Sequence, residues 1–283
     1  MSADSFRKAL AELPAAAVPP WMFFAVTFLL SWGIWIPLTL SHFGVGPVQI
    51  PEGTSEVVRL LGVIMPAIAA MGLTLAYRGV PGVLGLLRPL TTWNVPGRWW
   101  VAAVVVQPVV LIFAAVLFGS LDGNPPITAV SGLSSSVIGI NVVFLFIASL
   151  GEEIGWRGLA LPALECRYGA FWSSAVLGVV WATWHLPFWL LLDTFSEFGV
   201  GYLVLNYLFV LPGAFYITWI YNHGRFSLLL VVMFHVTFNI VNVAWLPVTT
   251  SIGAFGIVIA VNWVIAILVS RRLEPAFSEI TVR

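Results

Sequence analysis

Val137–Leu164 reads VIGINVVFLFIASLGEEIGWRGLALPAL, an apolar run that is long enough to cross a membrane and yet contains three charged residues. A spanning helix needs about 20 residues, and an ionisable group near the centre of the bilayer costs roughly 2.5–3.5 kcal/mol on insertion scales. The charged residues are Glu152, Glu153 and Arg157. Because such a cost calls for a functional reason, they mark the first candidate site.

The composition is that of a polytopic helical membrane protein. Hydrophobic residues make up 60% of the 283 residues and charged residues only 8%. The net charge is zero, and no basic block indicates a nucleic-acid partner. The single cysteine, Cys166, excludes an intramolecular disulfide.

We predict an all-α fold with about eight transmembrane helices. The predicted spans are Trp21–Leu40, Leu60–Ala76, Trp99–Leu117, Val137–Ala160, Phe171–Leu192, Tyr202–Tyr221, Ser227–Leu246 and Ile252–Val269. Nearly all basic residues between and beyond these spans fall on one side, so the positive-inside rule places both termini in the cytosol. In a prokaryote the expected location is the cytoplasmic membrane.

A single transmembrane domain is predicted over residues 21–270, with its functional core at about 137–246. Residues 1–20 are expected to form an N-terminal tail or a short interfacial helix, and residues 271–283 a cytosolic tail. The first apolar run lacks a clear small-residue cleavage site, so it is expected to be a retained anchor rather than a signal peptide.

The spacing of the charged residues suggests different roles for the two acids. Glu153 and Arg157 are four residues apart with the acid first, which predicts an ion pair on one helix face. Glu152 is rotated by about 100° from Glu153, so Arg157 cannot serve both acids equally. We therefore predict that Glu152 is a general base, supported by Glu153 and Arg157. Three nearby glycines would let a backbone or a substrate approach closely: Gly151, Gly155 and Gly158.

Two later spans carry further polar residues. His235 and Asn239 are four residues apart, so they share a helix face and can both donate hydrogen bonds to one developing oxyanion. His185 can orient a water, and Trp181, one turn earlier, is expected to pack against its ring. Taken singly, each histidine is more often an inter-helix hydrogen-bonding residue. Six such polar residues in three spans together favour a catalytic pocket.

Three motifs resemble those of the CAAX-prenyl-protease and bacteriocin-processing family of intramembrane proteases, the Rce1/Abi group. Glu152-Glu153-Ile-Gly-Trp-Arg157 resembles the family's Glu-Glu-x-x-x-Arg motif. Trp181-Ala-Thr-Trp-His185 stands in the place of its Phe-x-x-x-His motif, and His235-Val-Thr-Phe-Asn239 matches its His-x-x-x-Asn motif. Order and spacing agree over roughly residues 145–245. Trp181 is the one departure, and it bears on substrate preference.

The resemblance implies an eight-helix protein with a site inside the membrane, open to the cytosolic side. It also implies hydrolysis of a peptide bond near the C-terminus or leader of a lipidated or hydrophobic peptide or protein, with prenylated substrates among those permitted and no cofactor required. The roles that it implies are base for Glu152, water binding for His185, an oxyanion hole for His235 and Asn239, and support for Glu153 and Arg157.

Other functions remain open at this stage. Glu152, His185 and His235 can instead form a His₂Glu zinc site with an open fourth position. A proton-coupled carrier can use the same groups as a relay, although the placement of the polar residues between positions 150 and 240 favours a single pocket over the repeated halves of many carriers. A non-catalytic immunity or scaffold protein is a third class.

Overall fold

The fold is all-α in the part of the chain that the structure describes. The computed structural model describes residues 18–46, 49–122, 135–192, 195, 198–245 and 252–273. Within these ranges no strand occurs. The predicted interfacial helix of the N-terminal tail and most of the predicted C-terminal tail lie outside the described residues.

Eleven α-helices are found in the described ranges. In chain order they are α1 (Pro20–His42), α2 (Glu52–Val63), α3 (Met65–Leu87), α4 (Gly97–Val104), α5 (Val106–Asp122), α6 (Ser135–Gly155), α7 (Leu161–Trp184), α8 (Leu186–Trp189), α9 (Val200–His223), α10 (Leu228–Trp245) and α11 (Ile252–Ser270). A 3₁₀-helix, Arg88–Thr91, follows α3, and a π-helical turn, Trp156–Ala160, joins α6 to α7.

Four helical stretches of the described chain are long and apolar enough to span a membrane. They are Pro20–His42, Met65–Thr91, Gly97–Phe118 and Val200–His223. Shorter apolar helices occur at Leu228–Ile240 and Phe255–Ser270. The chain is therefore a helical protein with several candidate spans.

The second predicted span, Leu60–Ala76, is wrong as a single helix, because the structure breaks it between α2 and α3. Pro66 lies at the start of α3 and has no N–H to donate to the carbonyl of Gly62, four residues earlier. The hydroxyl of Ser31 on α1 donates to that carbonyl instead, at 2.9 Å. The freed acceptor is thus satisfied by a neighbouring helix, and this ties α1 to the break.

The connection between the fourth and fifth predicted spans is shorter than expected. Helix α6 runs through the π-turn directly into α7, so residues 161–168 are helical. The direction of the chain changes within α7 at Gly169, where φ is 71° and ψ is 167°. Glycine adopts this conformation without the steric cost that a side chain would add. The chain therefore turns between the two spans at Gly169, which separates two helical segments of α7.

The helix that carries the acidic pair lies in the middle of the fold. Helix α6 packs against α3 and α10, while α9 packs against α7 and α11. Three fully buried tryptophans fill the space beside the π-turn, with ring centroids 4.7 Å apart for Trp35–Trp184 and 5.6 Å apart for Trp156–Trp184. The polar residues of α6 are therefore surrounded by protein.

Candidate active site

A carboxylate–arginine pair forms at the end of α6. Glu153 lies in the last turn of this helix, and Arg157 lies in the π-turn that follows. Arg157 Nη1 donates a hydrogen bond to Glu153 Oε1 at 2.8 Å, and both side chains are 0% exposed. The ion pair predicted from the four-residue spacing is present. It gives a fully buried guanidinium its counter-ion, without which burial would be very costly.

The same carboxylate oxygen also binds a residue of another helix. His235, buried on α10, has its Nδ1 2.7 Å from Glu153 Oε1. Because an ionised carboxylate only accepts hydrogen bonds, we assign the proton to Nδ1. This contact fixes the orientation of the imidazole ring and leaves Nε2 as the nitrogen that is available to the site.

Glu152 lies between the two histidines. Its Oε2 accepts a hydrogen bond from the indole Nε1 of Trp181 on α7, at 2.6 Å. Oε2 is also 3.9 Å from His185 Nε2, and Oε1 is 3.9 Å from His235 Nε2. Both distances are longer than a direct hydrogen bond. Polar groups at such separations commonly interact through a shared water, so Glu152 and the histidines have a geometry that suits a water as reactant.

His185 directly follows α7 and is positioned by backbone and aromatic groups. Its Nδ1 donates to the carbonyl oxygen of Trp181 at 2.9 Å, which leaves Nε2 facing Glu152. The ring stacks on Trp189, with centroids 5.4 Å apart and planes 7° apart. Trp184 contacts it edge-on at 4.6 Å. Only the distal nitrogen of His185 is thus presented to the acid.

Two tryptophans that contact His185 were not predicted as site residues. Trp184 and Trp189 lie one residue before and four residues after the histidine, and this spacing is the only signal that could have found them. The expected packing of Trp181 against His185 is present, with ring centroids 5.7 Å apart. The hydrogen bond from Trp181 to Glu152 was also missed, because it depends on how α7 lies against α6.

The remaining polar candidates differ in position. Asn239 is half-buried on α10, one turn beyond His235. Among the described residues, no hydrogen bond joins it to the acids or to the histidines, so its oxyanion role stays a prediction. The other two histidines, His42 and His223, are the last residues of α1 and α9.

The glycines beside the acids admit a protein backbone rather than a long side chain. A Cβ added at Gly151 would lie 2.8 Å from the Cα of Ile64, and one at Gly155 would lie 2.7 Å from the carbonyl oxygen of Pro66. Both positions face the break between α2 and α3. The absence of side chains there lets this break approach α6 closely, which fixes the depth of the acidic pair in the fold.

The zinc alternative involves Glu152, His185 and His235. Both imidazole Nε2 atoms face the carboxylate at 3.9 Å, somewhat farther than the roughly 3.4 Å that separates two donors each bound at about 2.1 Å to one tetrahedral zinc. Among the described residues, no group of three or more His, Cys, Asp or Glu side chains is spaced as a metal site. The expectation that no cofactor is required stays a prediction, with zinc as its alternative, and chelation tests it.

Comparison with known proteins shows that the part of the chain that holds this cluster is similar to a known family. Residues 134–241 match the family model described as type II CAAX prenyl endopeptidase Rce1-like. The chain is also 30% identical, over 142 residues, to a protein named CAAX prenyl protease 2 from Methanococcus maripaludis. Over these residues, the chain is similar to the Rce1-like family. The resemblance read from the three sequence motifs is confirmed.

The match to the Rce1-like family covers only part of this chain. The alignment covers 48% of this chain and 52% of the archaeal relative, so the chain matches about half of that relative's length. Every residue of the cluster, from Glu152 to His235, falls inside the Rce1-like range. The similarity therefore lies in the part of the chain that forms the candidate active site.

Proposed function

We propose that this protein is an intramembrane endopeptidase that hydrolyses a peptide bond by means of a glutamate-activated water. The observation that carries the proposal is the position of Glu152, whose two oxygens face the Nε2 atoms of His185 and His235 at 3.9 Å. A carboxylate and two imidazoles that converge on one point can hold a water and move its proton. The match of residues 134–241 to the Rce1-like family supports peptide hydrolysis as the reaction.

In the proposed reaction, Glu152 takes a proton from the water as the water oxygen attacks the carbonyl carbon of the scissile bond. His185 holds the same water through Nε2, because its Nδ1 is engaged by the backbone. The attack forms a tetrahedral intermediate with a negative oxygen. Glu152 then gives its proton to the amine leaving group as the carbon–nitrogen bond breaks, so the carboxylate is regenerated.

We propose that His235 stabilises the oxyanion as an imidazolium. Its Nδ1–H is engaged by Glu153, so Nε2 can donate to an oxyanion only if it also carries a proton. Glu153 stands beside the ring as a counter-charge for that protonated form. Asn239, one turn further along α10, would supply the second donor through its side-chain amide.

The proposed enzyme spans the membrane about eight times and has both termini in the cytosol. Its single transmembrane domain covers residues 21–270, and the catalytic core covers about 137–246. The active site would open toward the cytosolic side. The proposed substrates are lipidated or hydrophobic peptides and proteins, prenylated ones included, cut near their C-terminus or leader.

Cleavage of a quenched fluorescent peptide library by the purified protein tests the proposal. The library contains matched prenylated and unprenylated peptides, and the wild type is compared with Glu152→Gln, with and without a strong chelator. Glu165→Gln is the matched control, because Glu165 is also buried but its described side-chain partner is Asn222, at 2.8 Å. We expect Glu152→Gln to lower kcat by at least about 10³-fold, as loss of a catalytic base does, while Glu165→Gln keeps activity.

The outcomes separate the competing mechanisms. Activity that is lost in Glu152→Gln but survives chelation supports a glutamate-activated water. Activity that is lost under both conditions supports the zinc alternative. If the wild type cleaves no peptide, prenylated ones included, the endopeptidase proposal fails and the carrier or scaffold class takes its place. Full activity in Glu152→Gln overturns the assignment of the base.

A further inference from the structure

One tryptophan contacts every charged or titratable side chain that surrounds Glu152, apart from Glu153. The indole of Trp181 donates to Glu152 Oε2 at 2.6 Å. The guanidinium carbon of Arg157 lies 4.7 Å from the centre of its ring. Its ring packs against His185 and meets His235 edge-on, with centroids 5.5 Å apart and planes at 84°. Its carbonyl oxygen also accepts the Nδ1–H of His185.

We propose that Trp181 is a positioning residue for the reacting carboxylate, in that its indole N–H holds Oε2 of Glu152 and leaves Oε1 to accept the proton of the attacking water. The catalytic role of this hydrogen bond rests on the proposed function. The hydrogen bond itself is a property of the resting protein and can be tested without any substrate.

The geometry distinguishes the two oxygens of Glu152. A hydrogen bond from a neutral donor to a carboxylate is charge-assisted, and the distance of 2.6 Å is at the short limit for an N–H donor, for which about 2.7–2.9 Å is usual. An oxygen that accepts such a bond has less lone-pair density to offer to a proton. Oε1 receives no such bond and faces His235 Nε2 at 3.9 Å. The proton transfer is therefore assigned to Oε1, while His185 Nε2, which faces Oε2 at 3.9 Å, holds the same water from the other side of the carboxylate.

The aromatic ring of Trp181 and its indole N–H have different roles. The ring fills the space between Arg157 and the two histidines, and a phenylalanine could fill most of it. Only the indole N–H can bind Glu152. Trp181→Phe therefore keeps an aromatic ring and removes the donor, whereas Trp181→Leu removes both.

A matched control for this change lies in the π-turn. Trp156 is also fully buried and packs edge-on against Phe23, with centroids 5.3 Å apart. Among the described residues, its Nε1 has no hydrogen-bond partner. Trp156→Phe thus removes an indole of the same kind without removing a hydrogen bond to the acid.

Kinetics provide the first test. Because positioning acts on the reacting geometry more than on substrate binding, we expect Trp181→Phe to lower kcat about tenfold and to change KM less than about twofold. Trp156→Phe is expected to lose much less in kcat. A Trp181→Phe enzyme with the kcat of the wild type would overturn the proposal, since the ring alone would then be enough. A loss confined to KM would overturn it as well.

Nuclear magnetic resonance of the resting protein provides the second test. The chain has 14 tryptophans, and labelling them with ¹⁵N at the indole gives one N–H resonance each. Loss of a resonance in Trp181→Phe, or in Trp181→Tyr if the first variant does not fold, assigns Trp181. Trp156→Phe assigns the control in the same way.

Glu152→Gln then replaces the charged acceptor by a neutral one. A hydrogen bond to a neutral acceptor is about half as strong as one to a charged acceptor. We therefore expect the Trp181 N–H resonance to move upfield by several tenths of a part per million or more. The Trp156 resonance should stay in place. An unmoved Trp181 resonance overturns the proposal, whatever the activity. If the wild type cleaves no peptide, the proposed function fails, and this spectrum still decides whether the indole holds Glu152.

Discussion

At the scale of single residues, Glu153 shares one oxygen between two partners. Arg157 and His235 both bind Oε1, at 2.8 and 2.7 Å, and all three side chains are buried. Arg157 and His235 come from separate elements, so the carboxylate links the π-turn to α10. Because the guanidinium has this carboxylate as its described counter-ion, the pair has a structural role in addition to any effect on the reaction.

Removing the charge of Glu153 is expected to destabilise the fold. Glu153→Gln leaves a buried guanidinium without a counter-ion, which typically costs about 3–5 kcal/mol. The measurement is the free energy of unfolding of the purified protein in detergent. Glu165→Gln serves as the control, because a glutamine can keep the hydrogen bond from Asn222 and no arginine loses its partner. Equal stability of the two variants would mean that Arg157 does not depend on Glu153.

The residue scale also shows where prediction from sequence stops. The Glu153–Arg157 pair follows from a four-residue spacing within one helical stretch and could be predicted. Glu153 and His235 are 82 positions apart in the sequence, so no local sequence pattern predicts their hydrogen bond. His235 was instead expected to act together with Asn239 through their common helix face.

At the scale of elements, the acidic helix α6 rests on the break between α2 and α3. Gly151 and Gly155 lie four residues apart on α6 and both face this break, at Ile64 and Pro66. Helix contacts of this kind depend on small residues, because van der Waals packing rather than the hydrophobic effect holds helices together in a bilayer. The close approach sets where the last turn of α6, with its two acids, lies.

A methyl group at this contact is expected to disturb the site. Gly155→Ala would place a Cβ 2.7 Å from the Pro66 carbonyl oxygen, and overpacking of this type costs about 1–3 kcal/mol. We expect a lower unfolding midpoint and a lower kcat, since the acids must move with α6. Gly72→Ala on α3 is the control, because nothing lies within 4 Å of its added Cβ and helix propensity favours alanine. A Gly155→Ala protein as stable and active as this control would contradict the close approach.

Helix existence was easier to predict from the sequence than helix boundaries. The apolar runs identify most helices, since hydrophobicity over about 20 residues is a strong signal. The break at Ile64 depends on a proline whose freed carbonyl is satisfied by Ser31 of another helix. The turn at Gly169 replaces the longer loop that the predicted spans left at residues 161–170. The break at Ile64 involves a contact outside the local sequence, whereas the turn depends on a glycine that the apolar pattern does not single out.

At the scale of the whole molecule, a buried amide pair joins distant parts of the chain. Gln107 Nε2 on α5 donates to Asn262 Oδ1 on α11 at 3.0 Å, across 155 positions of sequence. Asn262 Nδ2 in turn donates to the carbonyl oxygen of Val258 at 3.0 Å. The pair holds the last described helix against an early one and lies apart from the acidic cluster in sequence.

Replacing either amide is expected to weaken the fold without affecting the reaction. Gln107→Leu and Asn262→Leu should each cost about 1–2 kcal/mol, near the upper end for inter-helix hydrogen bonds in membranes, because each leaves a buried polar group unpaired. The double variant should lose less than the sum of the two. Unfolding in detergent measures the cycle, and the peptide cleavage rate should stay unchanged. Strictly additive losses would show that the two amides are not coupled.

The wide turn at Trp156–Ala160 has a consequence for how this protein tolerates insertions and deletions. A π-turn holds one residue more than an α-helical turn, and each residue in a helix advances the chain by about 100°. Deleting one residue there would rotate α7 with respect to α6 while leaving every side chain of the cluster in the sequence. Trp181 and His185 would then point elsewhere. The number of residues between Arg157 and Trp181 therefore determines the geometry of the site as much as the identities of these two residues do. Related sequences that keep all three motifs but differ in this length should place different side chains around the two acids.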